Sequence, residues 1–131
     1  MIRTKSAYTA QDRKRDGLRI LVERIRGRGL PKRKYNVWMA NLGPSEELLH
    51  AFQAEQITWA EFKQRYRAEL FQSDALDRRN DLIKNRGQKF TLRLLQELGR
   101  KGDVTLMCHC GEDQPHCHRH VLHEILRHKI G

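Results

Sequence analysis

The sequence predicts an α/β fold, in which a small, mainly parallel sheet flanked by helices forms a single compact domain over residues 1–131. One observation is the near-continuous apolar run at 104–108, which is typical of a strand covered on both faces. A second is that long helical segments separate the strand candidates, because parallel pairing needs long crossover connections. The third is length, since 131 residues suit one domain.

Three stretches have the composition of strands. Residues 18–22 are apolar and β-branched and follow the turn-forming pair Asp16-Gly17, whereas residues 2–8 are a weaker candidate. Residues 104–108 follow a turn at 101–103. In parallel sheets, ligands bind beyond the carboxyl ends of the strands, so the residues after these strands are the first candidates for a site.

Helical patterns fill the intervals between the strands. Ser45 is a predicted N-cap with acidic residues in the turn after it, and Thr58 with Glu61 forms a capping-box pattern. A long polar segment from Ser73, bent near Gly87, leads into the third helical face. The predicted buried faces are Leu48, Leu49 and Phe52; Trp59, Phe62, Tyr66 and Leu70; Phe90, Leu94, Leu95 and Leu98; and Val121, Leu122, Ile125 and Leu126.

The positive charge is concentrated near the N-terminus. The net charge is +10, and residues 1–40 hold twelve basic and three acidic residues, a net of +9. The run 24–34 is the densest part, with Gly27 and Gly29 allowing close approach of backbone amides to an anion. Two interpretations stay open: a solvated loop, or phosphate contacts, including non-specific nucleic-acid binding through residues 24–34 that weakens with salt.

The remaining composition predicts a cytoplasmic protein. No apolar run approaches the ~20 residues that a membrane-spanning helix needs, and the N-terminus lacks the apolar core of a signal peptide. Three cysteines are an odd number, which favours free or metal-bound thiols in a reducing compartment. We therefore expect no membrane partner.

All three cysteines and four of the seven histidines lie within residues 107–120, between the clearest strand and the last helix. One interpretation is a metal site for an ion such as zinc, with three thiolates and one imidazole as ligands. Cys-x-Cys and Cys-x6-Cys spacings differ from the familiar paired knuckles. The predicted ligands are Cys108, Cys110 and Cys117 with one of His116, His118 or His120, of which His118 is the preferred fourth ligand.

A second interpretation, which we prefer to the metal site, is a pocket for a small anionic ligand or phosphate ester built around residues 108–119. Cys117 and His118 fall at a helix N-terminus, which favours anions and lowers thiol pKa values. Cys117 is then the candidate nucleophile. The predicted anion-binding residues are Arg24, Arg28, His118 and Arg119.

Two further interpretations of the same segment stay open. A redox-sensing role needs a reversible disulfide, with Cys117 as one member. In the structural alternative, Cys108 and Cys110 are small buried hydrophobes and the histidines are surface groups or caps. None of these patterns names a reaction.

The sequence also resembles the YeaO-like family, a domain of unknown function numbered 488. The resemblance begins with residues 16–24 and 28–30, and it continues through Trp38, 44–45, the Trp59-x-x-Phe62-x-x-x-Tyr66 helix, 69–70 and 104–106. It implies a compact α/β domain and brings no established reaction. The family's Trp-Pro is replaced here by Arg26-Gly27. Residues 116–119, His-Cys-His-Arg, resemble the branch of the family that carries a Cys-His-Arg triplet.

Overall fold

The computed structural model of the chain describes residues 1–25, 29–72, 74–75, 84–85 and 87–130. Three strands come first among the described residues, and they are followed by two helices, a pair of short strands, a helix, a strand and a last helix. The strands are β1 (Ile2–Ser6), β2 (Leu18–Leu21), β3 (Val37–Trp38), β4 (Asp74–Ala75), β5 (Lys84–Asn85) and β6 (Val104–Cys108). The helices are α1 (Glu46–Gln53), α2 (Trp59–Phe71), α3 (Lys89–Lys101) and α4 (His118–Leu126).

A four-stranded parallel sheet in the order β1-β6-β2-β3 confirms the predicted fold class. All five residues of β6 are buried, as its apolar run predicts. Ser6 lies opposite Cys108, and Leu21 lies opposite Met107. The carboxyl ends of β1, β6 and β2 therefore meet at one end of the sheet, where the cysteine-histidine loop (residues 109–117) begins.

The two faces of the sheet are covered differently. Strand alternation sends Ile20 and Leu106 into a large core that holds the buried side chains of α1 to α4. On the opposite face, Leu21 and Met107 join a small cluster with Ala7 and Leu30, which lie outside the strands and helices. The described helices thus cover one face, and loops cover the other.

Gly17 positions β2 beside β6. Its φ of +59° lies in the left-handed region, and an added Cβ would sit 2.1 Å from the backbone oxygen of Asp103. Only glycine meets both conditions without strain. The turn predicted at this position therefore also brings the start of β2 against the start of β6.

The helix starts are confirmed at two positions. Ser45 Oγ accepts a hydrogen bond from the Leu48 amide at 3.2 Å, and Thr58 Oγ1 accepts one from the Glu61 amide at 3.1 Å.

Among the described residues, no helix has the length and apolar character needed to cross a membrane.

The predicted face of α3 is wrong at two positions. Phe90 is 61% exposed and Leu94 is 54% exposed, whereas Leu92 and Leu95 are fully buried. The helix is rotated so that Leu92 and Leu95 face the core.

β3 was not predicted from the sequence. Ser73 and residues 26–28, on which other expectations fall, lie outside the described residues.

Candidate functional site

Three cysteine thiols meet where β6 passes into the last loop. Cys108 ends β6, Cys110 follows two residues later, and Cys117 is the N-cap residue of α4. Their Sγ atoms all lie within 4.8 Å of one another, and those of Cys108 and Cys117 are 2.8 Å apart. Cys108 and Cys117 are buried, whereas Cys110 is partly exposed. The loop thus collects every thiol of the chain at one point and leaves one within reach of solvent.

Arg119 holds the loop around these thiols. Its side chain is 1% exposed, and Nη1 donates to Cys108 Sγ at 2.9 Å and to the Cys110 carbonyl at 3.0 Å. Nη2 donates to the carbonyls of Gly111 at 2.9 Å and Glu112 at 3.2 Å. The guanidinium therefore donates hydrogen bonds to one thiol sulfur and to three backbone carbonyls of the loop. Its predicted role as an anion clamp stays a prediction.

His118 lies on the core side of the same cluster. Its Nε2 pairs with the Val22 carbonyl, which can only accept, so Nε2 carries the proton and Nδ1 keeps its lone pair. Nδ1 lies 3.9 Å from Cys117 Sγ. Burial lowers the pKa of His118 to about 4, which leaves the ring neutral at pH 7. His118 adjoins Cys117 but does not belong to the tight cluster formed by the three thiols.

The thiols of the cluster differ in pKa. Hydrogen bonding to Cys110 and Cys117, together with burial, raises the pKa of Cys108 well above its ordinary value. Hydrogen bonds from Cys108 and Cys117 lower the pKa of Cys110, and the positive charge of Arg119 acts in the same direction. The cluster therefore favours a thiolate on its most exposed sulfur. Cys117, the predicted nucleophile, is less exposed than Cys110.

A carboxylate–histidine pair lies beside the cluster. Glu23 follows the end of β2, and its carboxylate contacts His109 Nδ1 and accepts from the His109 amide at 2.6 Å. The Tyr8 ring meets the His109 ring edge-on at 5.8 Å between centroids. His109 Nε2 is buried without a hydrogen-bond partner among the described residues. The sequence interpretation missed this pair, although His109 directly follows β6 and Glu23 lies two residues beyond the adjacent parallel strand β2.

Glu112 fastens the cysteine-histidine loop to the end of β1. Its carboxylate accepts from the Ser6 amide at 2.8 Å and from Thr9 Oγ1 at 2.6 Å. Burial opposes ionisation, but the hydrogen bonds from Thr9 and Ser6 outweigh it and lower the pKa of Glu112. The loop is therefore held at its middle by Glu112 and from inside by Arg119.

The predicted basic residues are placed as follows. Arg24 is exposed and donates to the carbonyls of Gly43 at 2.9 Å and Pro44 at 3.4 Å. Arg28 lies outside the described residues. Lys32, Arg33 and Lys34 form a short 3-10 turn with no buried residue. Anion and nucleic-acid binding through residues 24–34 stay predictions.

Comparison with known proteins identifies the family of the chain. The family model described as "Active DUF488-N3 subclade" matches residues 2–130. The uncharacterized protein YeaO of Escherichia coli (strain K12) is 37% identical over 75 residues, which are 56% of this chain. The match covers 64% of YeaO, just under two thirds of its length. No solved structure matches the chain.

Proposed function

The chain belongs to the DUF488-N3 family, and for this member we propose that Cys108, Cys110 and Cys117 bind a transition-metal ion, Zn²⁺ first of all. The observation that carries the proposal is the gathering of three thiols within 4.8 Å. Thiolate ligands select zinc and other soft or borderline metals over magnesium or calcium.

The thiol spacing suits such an ion. Zn–S bonds of about 2.3 Å at tetrahedral angles hold thiolates roughly 3.8 Å apart. Cys108 and Cys117, with sulfurs at 2.8 Å, must separate by about 1 Å to reach that spacing. Cys110 lies in a loop and Cys117 at a helix end, so small side-chain rotations suffice. Three protein ligands also leave a fourth position for water or another ligand, which is typical of reactive rather than purely structural zinc sites.

The surroundings supply the matching charge. Three thiolates around a divalent cation carry a net charge of −1, and the buried Arg119 guanidinium is within hydrogen-bonding distance of Cys108 Sγ. Hydrogen bonds to metal-bound sulfurs orient the ligands and tune the ion. The fourth ligand predicted from the sequence, His118, has its Nδ1 lone pair 3.9 Å from Cys117 Sγ. We assign it a supporting place beside the ligands.

Cobalt binding tests this proposal directly. We expect the reduced, metal-free chain to bind one Co²⁺ and to develop the near-ultraviolet sulfur-to-cobalt charge-transfer absorption. Cys110→Ser removes one thiolate at a partly exposed position, so the fold should persist while the affinity falls at least about tenfold. Zn²⁺ should displace the cobalt.

His50→Ala is the control, because His50 is exposed on α1 and models adventitious binding by surface imidazoles. It should leave the cobalt spectrum unchanged. Cobalt bound without the charge-transfer band, or bound equally by Cys110→Ser, contradicts the metal site.

A thiol–disulfide function is the second candidate, favoured by the 2.8 Å contact between the sulfurs of Cys108 and Cys117. A peroxide oxidises this pair: the two thiols lose two protons and two electrons, one S–S bond forms, and each equivalent of hydrogen peroxide becomes two waters. We expect peptide mapping after mild peroxide treatment to find a 108–117 link and a loss of two mass units. Loading with Zn²⁺ should slow the reaction. A chain whose thiols oxidise only to sulfinic or sulfonic acids would exclude this function.

A further inference from the structure

A separate cleft lies between α2 and α4, beside the last residues of the cysteine-histidine loop. It has a volume of about 370 Å³. Its apolar walls are Trp59, Pro115 and Val121, and its polar lining residues are Lys63, Arg67, His120 and Glu124. Pro115 lies two residues before Cys117, so the cleft adjoins the thiol cluster without containing it.

The two cations of the cleft act together. Lys63 and Arg67 are four residues apart on α2, which places them one turn apart on the same helix face. Both side chains are exposed, and neither has an ion-pair or hydrogen-bond partner among the described residues. This contrasts with Arg24 and Arg119, whose donors are directed at backbone carbonyls.

The carboxylate in the same cleft does not cancel this charge. Glu124 Oε1 is 2.9 Å from His128 Nε2, and Oε2 is 3.6 Å from Arg127 Nη1. Its negative charge is therefore paired with the Arg127 guanidinium, just beyond the last residue of α4. Two uncommitted cations remain to attract an anion.

The aromatic wall is held rigidly. The Trp59 ring stacks on the His116 ring at 4.8 Å between centroids and on Phe62 at 5.2 Å. His116 immediately precedes the α4 N-cap, so the ring position is tied to the loop. A fixed apolar wall facing two cations is suited to a ligand with a compact apolar body and an anionic group.

We propose that this cleft binds a small phosphate monoester, with Lys63 and Arg67 contacting the phosphate and Trp59, Pro115 and Val121 contacting its organic group. The proposal goes beyond the metal site, since none of the three cysteines takes part in it. It also places the anionic ligand against cations other than those predicted from the sequence.

Trp59 provides the readout. The chain has two tryptophans, so Trp38→Phe leaves Trp59 as the single remaining one. We expect phenyl phosphate to change the Trp59 emission saturably, and inorganic phosphate to bind several-fold more weakly because it lacks the organic group. Benzyl alcohol, which has the ring without the charge, should give no saturable change. In the same background, Lys63→Gln with Arg67→Gln should weaken phenyl phosphate at least about tenfold, as expected for the loss of two charged contacts.

Arg100→Gln with Lys129→Gln is the matched control. It removes the same charge from a different, larger groove of about 1060 Å³ between α3 and the end of α4. This pair should change the affinity less than about twofold. An equal loss of phenyl phosphate affinity in both double variants would mean that the effect comes from net charge alone. A loss of affinity only in the control would mean that the anion binds in the larger groove. Either result, or no saturable binding below ~10 mM, overturns the proposal.

Discussion

Arg119→Met is expected to destabilise the chain by about 3 kcal/mol and to abolish tight metal binding. The side chain is 1% exposed and serves four acceptors, of which three are backbone carbonyls of residues 110–112. Methionine fills a similar volume but donates nothing, so the carbonyls lose charge-assisted hydrogen bonds and the loop loses its inner support. Chemical denaturation measures the first effect, and cobalt absorption measures the second.

Arg127→Met is the appropriate control, because Arg127 adjoins the end of the same helix but is 68% exposed. A surface arginine with an exposed ion pair should cost no more than about 0.5 kcal/mol. Arg119→Lys should fall between the two, since an ammonium keeps the charge but not the planar fork. If Arg119→Met stays within 1 kcal/mol of the parent (a shift of about fivefold in the unfolding equilibrium), Arg119 does not hold the loop.

The sheet was predictable where local sequence settles the environment. β6 is an apolar run interrupted only by Thr105, which is typical of a strand buried on both faces. β3 was not predictable, because it has only two residues, Val37 and Trp38, both partly exposed at the sheet edge. A strand this short has no periodicity and exists only because β2 supplies its partner.

The α3 face was ambiguous in the sequence and was settled by packing. Apolar residues at 90, 92, 94, 95 and 98 permit more than one buried stripe. Gly99 shows which one forms, because an added Cβ there would lie 2.5 Å from Ile2 Cγ1. The helix therefore packs against Ile2 of β1 at Gly99, on the side that Leu92 and Leu95 share. A glycine inside a helical pattern was the available signal.

At the candidate site, the sequence predicted which residues gather but not how they are used. The thiol cluster follows from three cysteines placed around a strand-to-helix junction. The use of Arg119 on backbone carbonyls does not follow, since a sequence shows a cation without showing its acceptors. Likewise, Lys63 and Arg67 look like ordinary helix-surface residues until the fold brings Pro115 and Val121 opposite them.

Asp16→Asn is expected to cost about 3 kcal/mol at pH 7. The Asp16 side chain is 6% exposed, and its carboxylate accepts from Lys5 Nζ at 2.8 Å and from the Asp12 amide at 2.9 Å. Lys5 is itself only 16% exposed, so the substitution leaves a nearly buried ammonium without its counter-charge. Thr105 Oγ1 donates to the Asp16 carbonyl at 2.7 Å, which links this pair to β6.

The pH dependence of that cost separates the charge from the shape. Burial acts to raise the pKa of Asp16, but the hydrogen bonds from Lys5 and Asp12 and the charges of Lys5 and Arg19 outweigh it, so the folded pKa lies below 3.8. A lowered carboxylate pKa stabilises the folded state above the unfolded pKa, and the contribution disappears as the pH falls through the folded pKa. The difference in unfolding free energy between the parent and Asp16→Asn should therefore be constant from pH 7 to about 5 and shrink below about pH 4. Asp113→Asn, at an exposed position, should show little difference at any of these pH values. A parent–variant difference that stays constant down to pH 2 (about two units below the ordinary value) would mean that the carboxylate charge does not stabilise this fold.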